Sequence, residues 1–179
     1  MAAQPVRDVV ILVRDTGLRP DEVFRMRWEH VHWEKRLYFN PYGKTSKSRR
    51  WIPISERAAD LLKTRLHNQS IANPTGRRKK LVAPEPSPWV FPSRKAQSGH
   101  LTTVAKQFRA ARRLAGLPES LTLYGARHAF ATYALEATGN VFAVADVLGH
   151  QDLKTTRIYQ HPEFGAIRDA IDQRNRRVM

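Results

Sequence analysis

The sequence predicts an α+β fold that is mainly helical, in which a small three-stranded antiparallel sheet packs against a helical bundle. Apolar residues recur at helical spacing over most of the chain, which favours helices. Three short runs of β-type residues stand close together between residues 31 and 54, which favours a local sheet. The 179 residues are 41% hydrophobic, which is enough to bury the core of a single domain.

Two helices come first, divided by a glycine. Residues 5–15 are apolar and begin with a proline, which predicts a buried helix. Gly17 ends that helix, and Pro20 suits the first turn of a second, short helix that continues to Arg27.

The three strands follow, over residues 31–33, 36–39 and 50–54. Charged or glycine-bearing turns separate them, as in an antiparallel meander. The basic connection over residues 40–49 is expected to form the tip of a hairpin.

After the sheet the chain returns to helices. Ser55 is expected to cap a helix that runs to about residue 68. Residues 71–100, rich in proline, form a long connection with one β-like piece at residues 89–91. The remaining helices are expected over residues 102–115, 123–138, 141–149, 153–160 and 163–176, with Gly116, Gly139 and Gly149 at the stops.

The charge of the chain points to a polyanionic partner. Lys and Arg total 31 against 16 Asp and Glu, a formal net charge of +15. Such an excess on a folded chain favours nucleic acid, with an anionic membrane surface as the other candidate. No stretch approaches the roughly 20 apolar residues of a spanning helix. The first residues do not resemble a signal peptide, so we expect a cytoplasmic, nucleoid-associated protein.

Several kinds of chemistry have no support in the residues. The chain has no Cys, which excludes a disulfide scaffold, a thiolate zinc site and a catalytic cysteine. The histidines lack the spacing of a zinc-binding helix, and no glycine-rich phosphate loop precedes a helix. We therefore expect no metal and no cofactor.

Four short motifs carry the functional signal. They occupy, in chain order, residues 17–22, 43–47, 124–128, and 148–150 followed by Tyr159. Taken together over residues 17–161, they resemble the catalytic domain of the tyrosine recombinases, the phage-integrase family. The resemblance implies a DNA breaking-and-rejoining core that acts on double-stranded DNA without metal or ATP.

The resemblance assigns the central reaction to four residues. Tyr159 matches the family nucleophile, whose hydroxyl attacks the scissile phosphate and leaves a 3′-phosphotyrosine and a free 5′-hydroxyl. Arg19 and Arg127 match two arginines that neutralise the transition state. A guanidinium suits this task because its fork can hold two phosphate oxygens at once. His150 matches a late histidine that would hydrogen-bond to the phosphate.

Three further roles follow from the resemblance. Lys44 matches a hairpin lysine that protonates the departing 5′-oxygen as general acid, with Lys47 as its rival. Tyr124 stands where the family usually has histidine; a phenol can still donate a hydrogen bond to phosphate, but it is a poor general base at neutral pH. Glu22 either orients Arg19 and its neighbours or simply faces the dipole of its helix.

Basic residues outside these motifs are either a solvated surface or contacts to DNA phosphates, and the net charge favours the contacts. They cluster at the hairpin and in the long connection, and the candidates are Lys47, Arg49, Arg50, Arg77, Arg78, Lys79 and Lys80.

The resemblance also bears on domains and assembly. The first motif arrives at Arg19, so the N-terminal domain that usually clamps the duplex is expected to be absent, leaving residues 1–179 as a single catalytic domain. Residues 162–179 are expected to form a tail helix that docks on a neighbouring copy, within a tetramer on paired DNA sites. Two other functions stay open: a type IB topoisomerase-like nicking–closing enzyme, and a decayed integrase that only binds DNA.

Overall fold

The computed structural model describes residues 4–42, 49–71, 87–150, 152 and 154–157. Within these residues the fold is mainly helical with one three-stranded sheet, as predicted. The elements are α1 (Gln4–Thr16), α2 (Pro20–Phe24), a 3₁₀ turn (Trp28–His30), β1 (Val31–His32), β2 (Leu37–Asn40), β3 (Arg50–Pro53), α3 (Glu56–Ile71), α4 (Ala105–Leu114), α5 (Leu123–Thr138), α6 (Val141–Leu148) and α7 (Lys154–Arg157).

The predicted stop at Gly17 is confirmed, and two constraints demand glycine there. Its φ of +66° lies in the left-handed region, which side chains other than glycine rarely adopt. A Cβ at this position would also lie 2.5 Å from the ring of Phe130 on α5. The turn therefore packs directly against α5 before α2 begins at Pro20.

The second helix is shorter than the sequence predicts, because it ends at Phe24 rather than at Arg27. Arg27 instead forms an isolated antiparallel bridge with Trp89. The backbone there is satisfied by a distant segment, which a local pattern does not reveal. The β-like piece predicted at residues 89–91 therefore forms a single β-bridge at Trp89 rather than a strand.

The predicted three-stranded antiparallel sheet is confirmed, in the order β1–β2–β3. Tyr38 pairs with Val31 on one side and with Ile52 on the other, and all three side chains are buried. Two residues assigned to strands, Trp33 and Arg36, lie in the turn between β1 and β2, where Arg36 has a φ of +49°. The sheet is thus shorter at this end than predicted.

Ser55 caps α3 as expected, since its Oγ accepts a hydrogen bond from the Ala58 N–H at 3.1 Å. Ala58 and Leu62 face the core and are fully buried. The helix packs against α1 and reaches Ile71, three residues beyond the predicted end near residue 68.

Helices α5 and α6 have the predicted positions and build a second apolar cluster, which consists of Ala131, Leu135, Val144 and Leu148. The first cluster joins α1, α2, the sheet and α3. Contacts of α1 with α5, and of β3 with α6, bring the two clusters together along a seam. The functional residues described below lie on this seam.

Other predicted segments lie outside the described residues. These are residues 43–48 of the hairpin tip predicted over 40–49, residues 72–86 of the connection predicted over 71–100, the end of the helix predicted over 153–160, and the tail helix. In the part of the chain that the structure describes, no helix is long and apolar enough to cross a membrane.

Candidate functional site

Six of the predicted site residues lie at the seam, and Arg50 on β3 is one of them. Arg19 and Glu22 come from the turn and first residues of α2, Tyr124 and Arg127 from the first turns of α5, and His150 from the end of α6. The loops and helix ends that carry them are fixed by the two apolar clusters, so the long-range fold assembles residues that lie far apart along the chain.

Arg127 is the buried centre of the site, with 2% of its surface exposed. Its guanidinium donates to the Gly17 carbonyl, to the Leu148 carbonyl at 2.8 Å, and to Nε2 of His150 at 3.2 Å. The two carbonyls come from opposite sides of the seam, so the side chain ties α1 to α6. Burial and the nearby charge of Arg19 lower the pKa of Arg127 to about 10, which leaves it protonated at neutral pH.

His150 follows the glycine that ends α6 and is half-buried. Its Nε2 faces Arg127 at 3.2 Å, and its Nδ1 lies 2.8 Å from Oγ1 of Thr156 on α7. Burial, followed by the charge of Arg127, lowers the pKa of His150 to about 4. The imidazole is therefore neutral at physiological pH in the DNA-free protein.

Arg19 and Glu22 form a partly buried pair at the start of α2. The Arg19 backbone N–H donates to Glu22 Oε2 at 2.8 Å, and its guanidinium reaches Oε1 at 3.3 Å. The Arg19 side chain is 36% exposed, whereas that of Glu22 is only 6% exposed. The Arg19 side chain is therefore partly open to solvent, while the buried Glu22 carboxylate fixes its backbone and guanidinium.

Glu22 has a second and closer arginine, Arg50 on β3. The two Nη atoms of Arg50 donate to Glu22 Oε1 at 3.0 Å and to Oε2 at 3.1 Å. Asn40 Nδ2 adds a third donor at 3.0 Å. Burial opposes ionisation of Glu22, but the hydrogen bonds and charge of Arg50, followed by the backbone N–H and charge of Arg19, outweigh it and hold the pKa of the carboxyl below its ordinary value.

Arg50 is therefore placed differently from the surface phosphate contact that the sequence suggested. Its side chain is 7% exposed, and its Nε donates to the Val147 carbonyl at 2.6 Å. A guanidinium whose fork is paired with a buried carboxylate is a brace inside the site rather than an exposed surface group. The physical reason is the two-residue period of β3, which puts Arg50 on the same buried face as Ile52.

Gly149 makes room for this brace. Its φ is +68°, and a Cβ here would come within 2.9 Å of the Arg50 guanidinium. The glycine that ends α6 is thus required both by backbone conformation and by the close approach of Arg50.

Tyr124 lies in the first turn of α5 with 44% of its surface exposed, so it is not the buried core aromatic that a tyrosine in a helix often is. The Arg127 guanidinium lies 6.0 Å from its ring centre. The ring of His128 packs edge-on against it at 5.2 Å. The phenol stands at the edge of the cationic centre, open to solvent.

The remaining predicted residues divide into two groups. Arg49 is exposed, next to the hairpin tip. The others lie outside the described residues and stay predictions: Lys44, Lys47, Arg77, Arg78, Lys79, Lys80 and Tyr159. The sequence motifs did not indicate Asn40 or Thr156, although the strand period that places Asn40 on the same face as Tyr38 is a signal for Asn40.

The charge of the assembled site is positive. Three arginines, Arg19, Arg50 and Arg127, surround one carboxylate, Glu22, which leaves two net positive charges beside a neutral histidine. Because these charges are held by backbone carbonyls and a buried anion, they are fixed before a ligand arrives. Such a site stabilises a phosphate that gains negative charge during a reaction.

Comparisons with known proteins agree with this chemistry. The phage integrase family profile matches residues 2–165. Tyrosine recombinase XerC of Actinobacillus succinogenes is 31% identical over 174 residues, covering 96% of this chain and 54% of that protein. Tyrosine recombinase XerD of Lacticaseibacillus casei is 30% identical, covering 87% and 50%. The chain thus spans about half the length of the curated relatives it matches.

Solved structures share the fold. The integrase of transposon Tn1549, in complex with circular intermediate DNA, matches with a TM-score of 0.70 at 20% identity, over 95% of this chain and 60% of that one. The XerH site-specific recombinase bound to difH substrate matches with a TM-score of 0.69 at 24% identity, over 96% and 48%.

Proposed function

The chain belongs to the phage integrase family, and we propose that it cleaves and rejoins double-stranded DNA at specific sites as a tyrosine-type recombinase. One observation carries the proposal: Arg19, Arg127 and His150, which lie far apart in the sequence, converge with Glu22 on a single preformed cationic site.

In the proposed reaction the site holds the scissile phosphate. Arg19, partly exposed, and Arg127 bind its nonbridging oxygens, and His150 donates a further hydrogen bond. Charge accumulates on these oxygens in the pentacoordinate transition state, so donors that are already in place lower the barrier. Glu22 and its brace Arg50 position Arg19 without touching the DNA.

The bond-making residues are proposed on the sequence match. The Tyr159 hydroxyl attacks phosphorus and gives its proton to solvent, the bond to the 5′-oxygen breaks, and Lys44 gives that oxygen a proton. The products are a 3′-phosphotyrosine and a 5′-hydroxyl. Attack by a 5′-hydroxyl of another duplex reverses the step, and since the diester energy is kept, no ATP is consumed.

DNA as the partner is supported by the net charge of +15 and by the family. Binding through phosphate contacts makes the affinity strongly dependent on salt. We further propose that copies of the protein assemble as a tetramer on paired sites, in association with the nucleoid. The XerH structure, described as a pre-cleavage complex with difH substrate, is a precedent for the DNA-bound state of such a fold.

A covalent adduct tests the proposal. The protein is mixed with a pool of duplexes nicked so that the cleaved strand is trapped, and the products are separated on denaturing gels. We expect an adduct from the wild type and none from Tyr159→Phe, and sequencing of the trapped strand identifies the site.

Other outcomes would contradict the proposal in distinct ways. Relaxation of a plasmid without recombinant product would indicate a topoisomerase-like enzyme. Salt-sensitive DNA binding without an adduct, both for this chain and for this chain fused behind a DNA-clamping domain of a relative, would indicate a binding module.

A further inference from the structure

Thr156 on α7 makes a buried contact with the site. Its side chain is fully buried, and its Oγ1 lies 2.8 Å from Nδ1 of His150. A hydroxyl at this position is unexpected for packing alone, because a buried hydroxyl costs free energy unless it has a partner. The partner here is the imidazole.

The other side of the ring determines which nitrogen carries the hydrogen. Arg127 Nη2 lies 3.2 Å from His150 Nε2, and a guanidinium can only donate. Nε2 must therefore accept, and in the neutral imidazole the hydrogen is on Nδ1. Nδ1 then donates to Oγ1 of Thr156, so the DNA-free site holds one tautomer.

The proposed reaction needs the opposite tautomer. To donate to the phosphate from the side that now faces Arg127, His150 must carry its hydrogen on Nε2. The change is a proton exchange with water, in which Nδ1 releases one proton and Nε2 takes up another, so the charge of the ring is unchanged. Nδ1 then becomes an acceptor and needs a donor.

We propose that Thr156 is a positioning residue that holds the His150 ring in both tautomers. A hydroxyl accepts from Nδ1–H in the free site, and after rotation about its C–O bond it donates to the bare Nδ1 when Nε2–H points at the phosphate. This inference rests on the proposed function for the second tautomer, whereas the first tautomer is a property of the DNA-free protein.

The surroundings of His150 favour exchange of tautomers over full protonation. Among the residues that the structure describes, the charged and titratable groups that act on it are Arg127 and His128 on α5, Arg19 before α2, and Arg50 on β3. Three of these are cations, and they oppose a further positive charge on the imidazole. A bound phosphate offsets these charges, so the ring can donate without leaving its place.

The first test is on the free protein. Histidine-selective long-range ¹H–¹⁵N spectra report which ring nitrogen is protonated, and a His150→Asn variant assigns the signals. We expect the Nδ1–H form in the wild type and in Thr156→Ser. In Thr156→Val, which has the same shape but no hydroxyl, we expect the Nδ1–H form to persist because Arg127 still donates to Nε2, but the Nδ1 proton should exchange with water faster because it has lost its acceptor. A wild-type ring protonated at Nε2 would overturn the inference without any variant.

The second test is on the reaction. With the nicked duplexes, Thr156→Val is expected to form adduct roughly tenfold more slowly, the loss of about one hydrogen bond, and Thr156→Ser is expected to recover most of the rate. DNA affinity is expected to stay the same. Equal rates for Thr156→Val and wild type would contradict the role. Absence of adduct from the wild type would contradict the proposed function, while the tautomer spectra would still decide the first step.

Discussion

Replacing Arg50 by methionine tests the brace behind the site. The substitution removes the guanidinium while keeping much of the side-chain volume. It leaves Glu22, whose side chain is 6% exposed, with the Asn40 amide, the Arg19 backbone N–H and the longer contact of the Arg19 guanidinium at 3.3 Å. A buried carboxylate that loses its main counter-charge is costly to keep ionised.

The magnitude follows from this geometry. Removing one partner of a buried ion pair costs about 3–5 kcal/mol of the free energy of unfolding, and the surviving donors favour the lower end. For a chain of this size each kcal/mol lowers the melting temperature by about 2–4 °C, so we expect a fall of roughly 6–12 °C. Arg36→Met is the matched control, since Arg36 pairs with Glu56 on the surface and such pairs contribute about 0–1 kcal/mol.

The pH dependence gives a second readout of the same pair. The pKa of Glu22 is lowered in the folded protein from its ordinary 4.5, so its stabilisation is present above about that pH and is lost as the pH falls through the folded-state pKa. Urea unfolding should therefore show the largest difference between wild type and Arg50→Met at neutral pH, and a smaller one in acid. Two results would refute this role of Arg50. One is an Arg50→Met variant that is as stable as Arg36→Met, and the other is a stability difference between wild type and Arg50→Met that does not change with pH.

Three further predictions concern the site and its partner. Gly149→Ala should destabilise the fold by more than Gly116→Ala, because both glycines have positive φ but only Gly149 faces the Arg50 guanidinium. The free energy of unfolding should fall by about 1 kcal/mol for Gly116→Ala. Equal losses of stability in thermal unfolding would argue against the close approach of Arg50 to Gly149. Tyr124→Phe should slow adduct formation with little change in DNA affinity, as expected for a donor to phosphate, and an unaltered rate would exclude that role. The logarithm of the DNA association constant should fall linearly with the logarithm of salt concentration, which fluorescence anisotropy measures, and a flat dependence would be inconsistent with phosphate contacts.

Much of the scaffold could be predicted from the sequence because the residues that begin and end its helices act locally. Gly17, Gly139 and Gly149 mark helix ends through their backbone freedom, and Ser55 marks a helix start through its hydroxyl. The short runs of β-type residues, divided by charged or glycine-bearing turns, likewise predicted the sheet. These signals need no knowledge of what lies across the fold.

The parts of the site that were missed depend on long-range pairing. Arg50 lies among basic hairpin residues and looked like one more phosphate contact, yet its true partner is Glu22, 28 positions earlier. The period of β3 does place Arg50 on the buried face with Ile52, which is a signal that charge alone obscured. Thr156 had no comparable signal, because its role depends on where α7 lies against His150.

In the proposed reaction the fixed cations stabilise the transition state rather than merely attract DNA, and the substitution Arg19→Lys separates these two effects. Lysine keeps the charge but loses the two-pronged fork. Arg25→Lys is the control, since Arg25 just after α2 is exposed to the same degree as Arg19 and pairs with the surface carboxylate of Asp21. The measurement is the rate of adduct formation from a preformed complex on nicked duplex. We expect Arg19→Lys to bind DNA normally but to react about 100-fold more slowly, while Arg25→Lys reacts like the wild type. An Arg19→Lys variant that reacts within a few-fold of wild type, or that loses affinity instead of rate, would contradict the account.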